Sequence, residues 1–146
     1  MGAGCPYDPG IKKRTTTAVK DALQRSLETK VDEVWVLTVD EIGTVIDRAP
    51  EGKGHLAACP RCQEGFREWL DGLGLQPEDF DRTTWAEIAP LNVWDREGPR
   101  PWLDDPGDAL MAYYTRRFNC YVSAKMFTPL RAAFVEANAR KRTALT

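Results

Sequence analysis

The sequence Cys59-Pro-Arg-Cys62 brings together two thiol groups that could bind a metal ion or carry out redox chemistry. Two cysteine thiolates at this spacing supply two of the four ligands of a tetrahedral zinc ion. The chain contains four cysteines and one histidine. His55, close before Cys59, and the distant Cys5 are therefore the candidates to complete a zinc site.

Three interpretations of this cysteine pair stay open. A structural zinc ion would be held by Cys59, Cys62 and one or both of Cys5 and His55. A redox dithiol would use the helix N-terminus predicted here to lower a thiol pKa, although a loop separates the pair from the nearest predicted strand. In the third interpretation both are ordinary cysteines and His55 is an exposed loop residue. Cys120 is predicted to be a buried thiol on the apolar face of a long helix.

The acidic pair Asp40-Glu41 is the second candidate site. It follows an apolar run at residues 34–39, and functional residues of α/β folds collect at the carboxyl ends of strands. A carboxylic acid between Val39 and Ile42 can have a raised pKa and serve as a general acid. The alternative is a structural acid that caps the next helix or pairs with an arginine.

The elements around these residues read as one step of an α/β fold. Residues 11–30 have the apolar spacing of an amphipathic helix. Residues 34–39 are rich in β-branched side chains and apolar on both faces, as in a parallel strand covered by helices. A loop is predicted for residues 42–58.

Helices dominate the rest of the chain. A short helix is predicted from Pro60 to Asp71, with proline in its first turn. Thr84-Trp-Ala-Glu87 fits a capping box and predicts a brief helical turn. A long helix is predicted for residues 107–140, kinked or interrupted at Pro129.

Composition restricts the class of protein. The 146 residues are 42% hydrophobic and 29% charged, which predicts one ordinary domain spanning 1–146. The net charge of −2 argues against nucleic-acid binding through phosphate neutralisation. No run approaches the ~18 apolar residues of a membrane span. The N-terminus lacks the apolar core of a signal peptide, which favours a cytoplasmic location if Met1 is the true start.

Five short motifs follow one another along nearly the whole chain. They are Cys5-Pro-Tyr-Asp-Pro9, Trp35-Val-Leu-Thr-Val-Asp-Glu-Ile-Gly43, Cys59-Pro-Arg-Cys-Gln-Glu-Gly-Phe-Arg-Glu-Trp-Leu70, Trp85-Ala-Glu-Ile-Ala-Pro90 and Tyr114-Thr-Arg-Arg-Phe118. In order and spacing they resemble motifs of the family 42 glycoside hydrolases, which are β-galactosidases, and of related (β/α)8-barrel hydrolases. A complete barrel of this kind needs about 250 residues, so the resemblance implies part of one.

The resemblance implies a fold, a reaction and a set of site residues. The fold would be α/β, a helix-rich partial TIM barrel with a parallel core strand at 34–39. The reaction would be retaining hydrolysis of terminal β-galactosides or related sugars. Glu41 would be the acid/base, and Cys5, Cys59 and Cys62 would match zinc ligands beside the active site.

The chain departs from the family pattern at three points. Asp40 stands where the family has an asparagine that helps to bind the sugar, so Asp40 is the expected substrate-binding residue. Ala57 stands where the family has a further cysteine, so either His55 substitutes for that cysteine or the metal site is lost. A retaining enzyme needs two carboxylates about 5 Å apart, and nothing after Glu41 resembles the family's nucleophile.

The sequence therefore predicts a glycosidase segment that contains an acid and lacks a nucleophile, with a carbohydrate as substrate. The isolated chain is expected to be inactive. Open sheet edges would lead it to associate with a second copy or with the remainder of a barrel. The alternatives are a non-catalytic zinc-stabilised binding module and a thiol oxidoreductase that uses Cys59-Pro-Arg-Cys62.

Overall fold

Four helices and two short 3₁₀ turns make up the part of the protein that the computed structural model describes, which is residues 5, 7–28, 55–93 and 104–138. The elements are α1 (Pro9–Glu28), α2 (His55–Ala58), α3 (Pro60–Asp71), a first 3₁₀ turn (Pro77–Phe80), a second 3₁₀ turn (Trp85–Glu87) and α4 (Pro106–Asn138).

Helix α3 forms where the sequence predicts it. Pro60 lies in its first turn, where a missing N–H costs nothing. Phe66 and Leu70 are fully buried on its inner face, while Glu64 is exposed on the outer face. The chain leaves the helix at Gly72, and the predicted bounds are confirmed.

Helix α4 confirms the predicted long helix. Of the two effects predicted for Pro129, the interruption is wrong because the helix continues to Asn138. A proline inside a helix leaves the carbonyl four residues earlier without its N–H partner. The buried side chains of Phe118, Val122 and Phe134 hold α4 against the rest of the molecule on both sides of this position. That packing outweighs the local loss of one hydrogen bond.

Aromatic rings fill the contact between α3 and α4. The ring of Phe118 lies 5.1 Å from the ring of Phe66 and 5.5 Å from that of Trp69, centroid to centroid. Tyr7, in the turn before α1, stacks on Phe118 from a third side at 6.1 Å. Three segments that are distant in sequence therefore share one apolar cluster.

Hydrogen bonds fasten the segment around the 3₁₀ turns to this cluster. The buried Thr115 hydroxyl donates to the Met111 carbonyl at 2.8 Å and accepts the N–H of Leu91 at 3.1 Å. The Arg67 side chain donates to the Ile88 carbonyl at 3.1 Å. The bonds to Leu91 and Ile88 give partners to backbone groups that lie outside the regular helices.

Helix α1 lies against α4. Lys20 and Glu136 form an ion pair of 3.0 Å across this contact, with both side chains largely exposed. Ala18 and Ala22, which the helical spacing places on the apolar face of α1, are exposed instead.

The predicted α/β fold, a partial TIM barrel, is wrong. All regular structure in the described residues is helical, and no strand occurs among them. The apolar faces of α3 and α4, which a barrel would bury against a parallel sheet, bury each other here through aromatic side chains. The strand predicted at residues 34–39 lies outside the described residues.

The segment His55–Ala58, predicted as the end of a loop, is the short helix α2.

None of the helices in the ranges given above is long and apolar enough to span a membrane.

Candidate metal centre

Three of the predicted ligands lie at the corner where α2 meets α3. His55 begins α2, Cys59 occupies the residue between the two helices, and Cys62 lies in the first turn of α3. The N–H of Cys59 donates to the His55 carbonyl at 3.0 Å, and the N–H of Gln63 donates to the Cys59 carbonyl at 3.0 Å. The backbone of this corner is therefore fixed by its own hydrogen bonds.

The fourth predicted ligand, Cys5, comes from the segment before α1. Its carbonyl accepts the N–H of Asp8 at 2.8 Å, which closes a turn. Asp8 forms ion pairs with Arg14 at 2.8 Å and with Arg61 at 3.9 Å. Arg61 lies between Cys59 and Cys62 in sequence, so the turn is attached to the corner that carries the other candidate ligands.

The ligand atoms of these four residues form a compact cluster. Each residue's Sγ or imidazole nitrogen lies within 4.8 Å of the others. The Sγ of Cys5 is 3.3 Å from that of Cys59 and 3.5 Å from that of Cys62. Ligand atoms bound to one tetrahedral zinc ion stand about 3.5–3.8 Å apart, given zinc–ligand distances of about 2.0–2.3 Å. Cys5, His55, Cys59 and Cys62 could therefore hold one metal ion after small side-chain movements.

The imidazole of His55 has a buried polar atom whose hydrogen-bonding capacity is unsatisfied. Its Nε2 is buried and has no hydrogen-bond partner in the structure described here. A buried nitrogen without a partner costs about 1–3 kcal/mol. Burial also lowers the pKa of His55, which favours the neutral imidazole that binds metals. A metal ion would satisfy this nitrogen.

The three clustered thiols differ in acidity. Burial raises the pKa of Cys62, and the neighbouring Cys5 sulfur raises it further. Burial likewise raises the pKa of Cys5. Burial acts in the same direction on Cys59, but hydrogen bonds, first that from the backbone N–H of Cys62, outweigh it and leave the pKa of Cys59 below its ordinary value. Cys59 is therefore the most acidic of the three, and a bound cation would deprotonate all of them.

The structure thus brings together all four residues predicted as metal ligands. The predicted catalytic residue Glu41 and the predicted sugar-binding residue Asp40 lie outside the described residues.

Two features of this region differ from the sequence prediction. Cys120 is exposed on α4, so the prediction of a buried thiol is wrong. The buried stripe of α4 runs through Phe118 and Val122 and leaves Cys120 to one side. Sequence reasoning missed Tyr7, which packs against the buried cluster between α3 and α4. Its hydroxyl has a pKa raised by burial.

Comparisons with protein-family models, with curated proteins and with solved structures found no match to this chain. The resemblance to family 42 glycoside hydrolases is therefore wrong. One of the motifs that carried it includes Phe66-Arg-Glu-Trp-Leu70, whose helical spacing places apolar side chains in the aromatic core. The hydrolase prediction rested on that resemblance, and the described residues do not test it.

Proposed function

We propose that Cys5, His55, Cys59 and Cys62 bind one zinc ion and that the chain is a non-catalytic, zinc-stabilised binding module. The observation that carries this proposal is the approach of all four ligand atoms to within 4.8 Å of one another. Three thiolates and an imidazole are ligands that suit zinc, whereas magnesium and calcium take oxygen ligands.

The ligand count favours a structural role for the ion. Catalytic zinc sites keep a coordination position open for water or substrate, whereas structural sites fill all four positions with side chains. Here four side chains converge, and one of them, Cys62, is fully buried. Bound zinc would supply a cross-link between the turn at Cys5 and the corner between α2 and α3.

The buried Nε2 of His55 supports the same proposal. Among the described residues this nitrogen is buried and has no hydrogen-bond partner. Burying such a group is unfavourable without a compensating bond. Coordination through this nitrogen would supply that bond.

The zinc content of the purified full chain tests the proposal. We expect one zinc per chain in a reduced preparation, and intense thiolate-to-metal absorption when cobalt replaces zinc. Cys5→Ser should weaken zinc binding strongly because it removes one of the four proposed ligands. Cys120→Ser is the matched control and should bind zinc like the unmodified chain, since Cys120 lies outside the cluster.

Chelation gives a second readout. Structural zinc sites couple metal binding to folding, so a strong chelator should lower the thermal midpoint of the unmodified chain and of Cys120→Ser. The proposal fails if the unmodified chain binds no more zinc than Cys5→Ser, or if the chelator leaves the midpoint unchanged.

A further inference from the structure

We propose that Cys5 and Cys59 are a site of reversible oxidation, at which a peroxide converts the two thiolates into a disulfide. The release of zinc that would accompany this step rests on the proposed function, whereas the disulfide itself rests only on the positions of the sulfur atoms.

The distance between the two sulfurs favours this pair. The Sγ atoms of Cys5 and Cys59 are 3.3 Å apart, and a disulfide requires about 2.0 Å. Cys5 lies in a turn and Cys59 has an extended backbone before α3, with φ −91° and ψ 117°. Cys5 lies outside the described helices, so its turn can move toward Cys59, whose backbone is held by hydrogen bonds with His55 and Gln63.

Accessibility separates this pair from the third sulfur. Cys5 and Cys59 are half-buried, whereas Cys62 is 0% exposed. Cys62 is also held inside α3, and its Sγ is 3.5 Å from that of Cys5. A small oxidant therefore reaches Cys5 and Cys59 before it reaches Cys62.

The reaction balances with hydrogen peroxide as the oxidant. One thiolate attacks a peroxide oxygen, the O–O bond breaks and hydroxide departs. The cysteine that attacked is then a sulfenic acid. The second thiolate attacks that sulfur, the S–S bond forms, and a second hydroxide leaves. The two sulfurs lose two electrons and the peroxide gains them. Zinc, left with His55 and Cys62, dissociates as the Cys62 sulfur takes up a proton.

The oxidised state keeps the connection that the metal provides. A disulfide between Cys5 and Cys59 still fastens the turn before α1 to the corner that begins α3. Oxidation would therefore exchange a coordination bond for a covalent bond at the same place and free the zinc ion.

Peptide mapping of the full chain tests this assignment. Trypsin cleaves after Arg61 and so separates Cys59 from Cys62, while Cys5 lies in the N-terminal peptide. After treatment of the zinc-loaded protein with hydrogen peroxide, we expect a Cys5–Cys59 linked pair of peptides, one zinc released per linkage, and reversal of the linkage by dithiothreitol. Cys120→Ser should behave identically. Cys62→Ser should still form the linkage in the absence of zinc.

Other linkages would overturn the assignment. A dominant Cys59–Cys62 disulfide, a linkage between chains through Cys120, or sulfinic acid at Cys59 without a disulfide would each contradict it. Failure of the proposed function would give a different result. The purified protein would contain no zinc, yet peroxide would still form the Cys5–Cys59 linkage. Stoichiometric zinc that is lost to peroxide without a Cys5–Cys59 linkage would overturn this inference alone.

Discussion

Gly65 occupies the point where the ring of Tyr7 crosses α3. A Cβ atom on Gly65 would overlap the Tyr7 ring atoms Cζ and Cε1. The ring also stacks on Phe118 and lies 4.9 Å from the ammonium group of Lys125. Because Tyr7 follows Cys5 by two residues, this contact fixes the segment that carries the first of the candidate metal ligands.

Gly65→Ala is expected to displace Tyr7 from this position. Overpacking of a buried site costs about 1–3 kcal/mol in the free energy of unfolding, and the displaced turn should also bind zinc more weakly. Denaturant titration and competition with a metal-binding dye measure the two effects. Gly72→Ala is the matched control: the atom closest to its new Cβ is the Glu68 carbonyl oxygen at 3.3 Å, and the site is exposed. Equal stability and equal zinc affinity for the two variants would contradict this role of Tyr7.

At the scale of single residues, the sequence predicted the candidate metal ligands better than it predicted the residues that hold them in place, such as Tyr7. Cys59 and Cys62 are close in sequence, so their spacing alone made them candidates for a metal site or a redox dithiol. Cys5 and His55 were only candidates, because the approach of Cys5 depends on how distant segments pack. Tyr7 gave no comparable signal, since a tyrosine near a chain end has no spacing that distinguishes an anchor from an exposed side chain.

The second 3₁₀ turn depends on one carboxylate. Glu87 Oε2 accepts the backbone N–H groups of Thr83 at 3.0 Å and Thr84 at 2.9 Å, and it also accepts both threonine hydroxyls. The N–H bond from Thr83, followed by the remaining bonds, lowers the pKa of Glu87 below the ordinary value of 4.5. The predicted capping box is therefore confirmed.

The stability contributed by Glu87 should depend on pH in one direction. Because the folded chain has the lower pKa, the unfolded chain binds more protons between the two pKa values, and stability rises with pH there. The contribution is complete above the ordinary value of 4.5 and is lost as the pH falls through the folded pKa. Denaturant midpoints measured from neutral to acidic pH should show Glu87→Gln below the unmodified chain at neutral pH and equal to it in acid.

A second carboxylate supplies the control for that experiment. Glu64 is exposed on α3, and at neutral pH Glu64→Gln should change the unfolding midpoint less than Glu87→Gln does. If the unfolding midpoints of Glu87→Gln and the unmodified chain differ by the same amount from neutral to acidic pH, the charge of the Glu87 carboxylate does not cause the loss of stability.

Elements were predictable where the signal is local. Proline at the start of α3, the capping box at Glu87 and the long apolar repeat of α4 each act within a few residues, and each prediction is confirmed. What an apolar helix face packs against is not encoded locally. The spacing of apolar residues on α3 is compatible with packing against a sheet or against another helix. The predicted barrel assumed a sheet, whereas the structure has a helix, α4.

Across the whole molecule, Phe118 joins segments that are distant in sequence. Its fully buried ring contacts rings from the turn before α1, from α3 and from α4 itself. Aromatic pairs of this kind are worth about 0.5–1.5 kcal/mol beyond the apolar area that they bury. The packing of the described helices therefore depends on this ring more than on any exposed ion pair.

Phe118→Ala is expected to lower the free energy of unfolding by about 3–5 kcal/mol, because it leaves a cavity between three segments. Since natural domains are stable by only about 5–15 kcal/mol, Phe118→Leu provides a milder second variant with a smaller loss. Leu73→Ala is the control, because Leu73 is 48% exposed and should change the midpoint of urea unfolding little. A Phe118→Ala midpoint no lower than that of Leu73→Ala would exclude this central role.

The metal centre also has a topological consequence. Coordination of Cys5 together with His55, Cys59 and Cys62 to one ion, as proposed above, would close the backbone between residues 5 and 55 into a ring. A single peptide-bond cut within that ring would leave two polypeptides held as one particle by the metal ion, or by the Cys5–Cys59 disulfide after oxidation. The nicked protein would migrate intact on a native gel and separate into two bands only under denaturing, chelating and reducing conditions.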